Sequence, residues 1–172
     1  MGLWQLVGFA STSLFGTILH FLYDWSGKSL WIAPFSGVNE STFEHMKLLF
    51  WPMLLFALVE CLLANKREAF WSVTLEGILV GLTLIPVLFY TYNGAIGKSP
   101  DWINIAIFFL SAALAYLYIY LLERKAPTTP LPPALSLLIL SALALAFVLF
   151  TFYPPRIALF RDPLTGTFGI PS

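Results

Sequence analysis

Between Asn39 and Lys47 the chain reads Asn-Glu-Ser-Thr-Phe-Glu-His-Met-Lys, which places Glu40, Glu44, His45 and Lys47 within one short stretch. Carboxylates, an imidazole and an ammonium so close together are the groups that move protons, ligate metals or orient charged substrates. The second histidine of the chain, His20, precedes Asp24 by four residues, so the two share a helix face. Nitrogen and oxygen donors from His20, Asp24, Glu40, Glu44 and His45 suit a divalent metal, zinc foremost, with a position left open for water. The same residues equally describe a metal-free polar pocket or a set of structural pairs, and no HExxH signature decides between them. In a catalytic reading Glu40, Glu44 and His45 do the chemistry. Tyr23 and Asn39 then contact the substrate, and Arg156 and Arg161 hold an anionic group on it.

Local rules constrain how these side chains are presented. Ser41-Thr42-Phe43-Glu44 fits a capping box, in which Ser41 accepts from the Glu44 amide and Glu44 reaches back to the Ser41 amide. On the helix that follows, Glu40, Glu44 and Lys47 fall along one side, and Ser41, His45 and Leu48 about 100° round it. Pro52 is expected to kink that helix. Upstream, Ser13, Gly16, Thr17 and His20 form a small, polar stripe of the kind that faces other helices, which turns His20 inward and lets it donate to Asp24.

The elements that position these groups are membrane helices. The chain has 172 residues, 59% hydrophobic and only 10% charged, too apolar for a water-soluble domain. Five stretches can cross a bilayer: residues 3–23, 42–63, 70–92, 102–122 and 134–153. β-Alternation is missing, so the fold class is all-α, one transmembrane five-helix bundle over residues 1–172. The breaks are a charged turn at Asn65–Glu68, a turn cluster at Gly94–Pro100 and a proline-rich linker at Ala126–Pro133. With these spans, both histidines and most polar residues gather at one end of the bundle. The tail, residues 154–172, carries Phe160, Phe168 and Ile170, which need burial, and a turn at Asp162–Gly166. It is expected to fold over the polar end as a lid and to bring Arg156 and Arg161 toward the acids. Glu60 and Glu76 lie inside spans, where carboxylates need partners. Lys66 and Arg67 are the nearest cations, and a proton path is the alternative.

Formal net charge is zero, which supplies no argument for nucleic acid. The single Cys61 cannot form an internal disulfide. The first apolar run lacks a basic leader and a cleavage site and reads as a retained span. Basic residues flanking the second and fourth loops point to a cytoplasmic N-terminus and an extracytoplasmic C-terminus in the plasma membrane. No internal repeat is present, which argues against a repeat-built transporter.

Asn39-Glu40-Ser41 followed by Glu44-His45-x-Lys47-Leu48, with His20 and Tyr23 upstream, resembles a family of small prokaryotic membrane proteins of unknown function. The resemblance covers essentially the whole chain and implies a shared site on this segment. A shorter resemblance is to the membrane hydrolases that include the alkaline ceramidases. Ser41-x-x-x-His45 matches their Ser-to-His step and Asp24 their acid, while their later His-x-x-x-His is missing and five spans replace seven. That likeness implies a zinc-activated water acting on a lipid or other amphiphile in the bilayer. Two other functions are open: a transporter or proton-conducting subunit using Glu60 and Glu76, and an accessory subunit that binds a partner with its polar face.

Overall fold

A computed structural model describes residues 2–64, 69–125 and 131–170. The charged turn at 65–68 and most of the proline-rich linker lie outside these residues. All five long elements are helices: α1 (Leu3–Trp25), α2 (Thr42–Leu63), α3 (Phe70–Ala95), α4 (Asp101–Lys125) and α5 (Pro133–Phe152). Each is long and apolar enough to cross a membrane, as a multi-pass membrane protein requires. The helices outrun the apolar stretches. α1, for example, continues through Asp24 to Trp25, and α3 through Asn93 to Ala95. Hydropathy reports where lipid must be met, whereas a helix runs on until a breaker stops it. Here those breakers are Gly27 at φ +68° and Gly97 at φ +110°.

Helices α1, α2, α3 and α4 close a ring in which each packs on its sequence neighbour and α4 returns to α1. α5 lies outside it against α3 and reaches α2 through Phe147, whose ring sits 4.8 Å from Phe50 and 5.3 Å from Phe43. Leu49, Phe50, Leu75, Ile78, Ala112 and Leu140 are fully buried at the centre. Close approach of α1, α2 and α4 depends on Gly16, where a Cβ would stand 2.5 Å from Phe108 and 2.7 Å from the Leu48 carbonyl oxygen. The expected small stripe on α1 is therefore a packing seam.

Two non-helical segments cap the polar end. The connector from residue 26 to 41 folds on itself through turns and docks Ser36 into the last turns of α1. There Ser36 Oγ accepts from the Tyr23 amide at 2.9 Å and donates to the Leu19 carbonyl. The tail turns back after α5 through a short 3-10 helix, Ala158–Phe160. Phe160 is buried against Phe43, with ring centroids 4.5 Å apart, and Ile170 packs on Tyr23, Ala33 and Val38. The turn expected at Asp162–Gly166 is formed. Asp162 accepts from the Leu164 amide and the Thr165 hydroxyl at 2.8 Å each, and Gly166 takes φ +75°.

Candidate functional site

The start of α2 divides its charged residues into a sealed pair and an open cluster. Glu44 and Lys47 are sealed: their charged atoms lie 2.6 Å apart with both side chains buried. Lys47 also donates to the Ala33 carbonyl and to Thr151 Oγ1 at 2.9 Å each, which uses all three ammonium protons. Thr151 Oγ1 in turn donates a hydrogen bond to the Phe147 carbonyl, and Glu44 accepts from the Val38 amide at 2.9 Å. This network ties α2, α5 and the connector together. Only half of the capping box forms: Ser41 Oγ accepts from the Glu44 amide, but the Glu44 carboxylate has gone to Lys47. The Ser41 amide is served instead by Asn39 Oδ1 at 2.8 Å.

Glu40 belongs to the open cluster, apart from Glu44 and Lys47. Its two carboxylate oxygens face His20 Nε2 at 3.7 Å and His45 Nε2 at 3.6 Å, and the imidazole rings are 5.7 Å apart. The Glu40 side chain is 41% exposed, so the cluster is reachable. His45 Nδ1 lies 3.0 Å from the Ser41 carbonyl oxygen, which can only accept. Nδ1 therefore carries a proton, and the Nε2 of a neutral His45 presents its lone pair toward Glu40. Two acceptors 3.6 Å apart define a place for an O–H or N–H donor between them.

The cluster lines a cavity of about 460 Å³. Its floor is Gly16, Leu48 and Phe108. Phe21 of α1 and Ile105 and Phe109 of α4 form apolar walls whose side chains are exposed. A polar rim of Asn93, Lys98, Ser99, Asp101 and Asn104 comes from the α3–α4 turn, and Pro163 and Leu164 of the tail lie across it.

The expected site residues therefore separate. His20, Glu40 and His45 meet. Asp24 is exposed, lines no part of the cavity and leaves His20 to Glu40, because the connector brings Glu40 to the face that His20 presents. Glu44 cannot act on a substrate while buried on Lys47. Tyr23 is buried against Ala33 and Val38, away from the cavity, and Asn39 donates to the Gly169 carbonyl at 2.8 Å, pinning the tail. Arg156 and Arg161 are exposed and make no ion pair among the described residues. Arg161 lies beside Gly166 of its own turn, because the tail folds with its aromatic side inward. His20, Glu40 and His45 are neighbours, but among the described residues no three His, Cys, Asp or Glu side chains stand in an arrangement that could hold a metal ion. Of the five expected ligands, His20, Glu40 and His45 are brought together, whereas Glu44 is held by Lys47 and Asp24 lies outside the cavity.

The two acids inside spans are also housed. Glu76 accepts from Ser72 and Tyr118, while Glu60 is buried beside Gln5, Thr74 and Tyr116. The cations expected to pair with them, Lys66 and Arg67, fall outside the described residues. Sequence reasoning missed Lys98, Asn104 and Phe89 on the cavity and Thr151 under Lys47. A polar residue late in the apolar α5 was the available signal for Thr151.

A family model described as a family of unknown function, DUF6512, matches residues 1–170. No curated protein and no solved structure matches the chain. The chain belongs to this family of unknown function.

Proposed function

We propose that this protein is a membrane-embedded hydrolase whose substrate is an amphiphile drawn from the bilayer. One observation carries the reading: a single cavity joins an acid–base cluster to exposed apolar walls. A ligand with a polar head and an apolar chain matches both parts, and Phe21, Ile105 and Phe109 mark where the chain would enter between α1 and α4. Water would sit between His45 Nε2 and Glu40. The Ser41 carbonyl holds His45 in the tautomer that accepts a proton, and Glu40 offsets the charge the imidazole gains. The water oxygen attacks the carbonyl carbon of an ester or amide while its proton passes to His45 Nε2. The C–O or C–N bond then breaks, and the departing group takes that proton from His45.

The test is turnover of ester- and amide-linked amphiphiles by the full chain in nanodiscs, followed by mass spectrometry. His45→Gln should reduce the rate about 10²- to 10⁴-fold, and Glu40→Gln should also reduce it. Absence of turnover for every ester and amide offered, or equal rates in wild type and His45→Gln, would overturn the reading.

A further inference from the structure

The rim of the cavity holds a charge that the acid–base cluster does not use. Lys98 lines the cavity and forms no ion pair or hydrogen bond among the described residues. Its loop is firmly built. Asn93 Oδ1 accepts from the Ser99 amide at 2.8 Å, Ser99 Oγ donates to Asn104 Oδ1 at 2.8 Å, and Asn93 Nδ2 donates to the Phe89 carbonyl at 2.8 Å. Ser99 is buried within this network. Gly97 takes φ +110°, a conformation that side chains disfavour, although a Cβ there would meet no neighbour. Both α3 and α4 thus clamp the residue next to Lys98, so its stem starts from a fixed point on the cavity wall.

Lys98 is exposed on the rim, and its unpartnered ammonium suits a phosphate or carboxylate oxygen. Two acids, Glu40 and Asp101, face the same cavity, and Asp101 stands in the first turn of α4, where the helix dipole favours negative charge. We infer that the occupant is an anionic amphiphile. Its phosphate or carboxylate sits on Lys98, its cleavable bond lies at His45 and Glu40, and its chain runs along Phe108. This inference rests on the amphiphile reading above and names the head group.

The experiment is native mass spectrometry of the full chain released from nanodiscs of equal phosphatidic acid and phosphatidylcholine, for wild type, Lys98→Gln and Lys28→Gln. Lys28 is exposed near the same end of the bundle but outside the cavity. Wild type and Lys28→Gln should retain phosphatidic acid about fivefold over phosphatidylcholine, and Lys98→Gln should retain both equally. An unchanged preference in Lys98→Gln, or no preference in wild type, would overturn the anionic head while leaving amphiphile binding intact. Retention of no lipid by any of the three would sink the amphiphile reading itself. In a further arm inorganic phosphate alone is added. Displacement of phosphatidic acid by it would assign the site to a free anion and overturn the lipid head.

Discussion

At the scale of single residues the protein spends two acids in opposite ways. Glu44 and Lys47 form a pair with every Lys47 proton donated and no exposed surface on the ammonium side chain. Removing one member of such a pair strands the other, which costs about 3–5 kcal/mol, whereas apolar replacement of both is far better tolerated. Lys47→Met should therefore lower the midpoint of thermal unfolding in detergent sharply, and Glu44→Leu with Lys47→Met should recover much of the loss. A double variant as unstable as the single one would show that the pair does more than compensate its own charges. Glu40, by contrast, keeps its carboxylate where two imidazoles and the cavity reach it. Glu40→Gln should leave the unfolding midpoint nearly unchanged, because no buried charge is stranded.

At the scale of elements, the tail is a cover held at a few points. Phe160 fills a pocket between Phe43 and Phe150, with ring centroids 4.5 Å and 5.5 Å away, and Asn39 holds the Gly169 carbonyl. Truncating a buried phenylalanine costs about 3–5 kcal/mol when the site cannot collapse. Here the cost should fall first on docking of the tail, whose Phe160 shares a buried cluster with Phe43, Phe50 and Phe147. Phe160→Ala should raise amide hydrogen exchange across residues 158–170 while α2 and α3 stay protected. Gly16→Leu is a contrasting test on α1. Its side chain would meet Phe108 and the backbone of α2, so the seam itself should open and global stability should fall.

At the scale of the whole molecule, the five helices long and apolar enough to cross a membrane among the described residues would, if all cross, place the two termini on opposite sides. With a cytoplasmic N-terminus, the cavity, the connector and the tail all face outward. A reporter active only in the cytoplasm should then work when fused at the N-terminus and be silent at the C-terminus. The reverse pattern would place the cavity on the cytoplasmic side. Either result leaves the ring of α1 to α4 unchanged, since orientation is set by loop charge and the ring by packing.

What could be read in advance follows from the range of each physical cause. Apolar length and helix hydrogen bonding act over neighbouring residues, so five helices, their order and the gathering of polar residues at one end were all legible in the chain. The lid was legible too, because Phe160, Phe168 and Ile170 needed a surface and only the bundle offers one. Partner choice was not legible. Helical spacing put Glu40 on the side of Glu44 and Lys47, but Glu40 precedes α2 and its direction is set by the connector folded on α1. His20 likewise faced Asp24 by spacing, and tertiary folding supplied a different carboxylate. Arg156 and Arg161 were assigned by charge to the acids, and the burial of Phe160 turned them outward. The sequence by itself determined which groups could do chemistry and at which end of the bundle they would gather, through hydropathy and periodicity. Only the tertiary structure decided that Glu44 is locked and Glu40 open, because segments distant in sequence choose which charge is buried and which is left to a ligand.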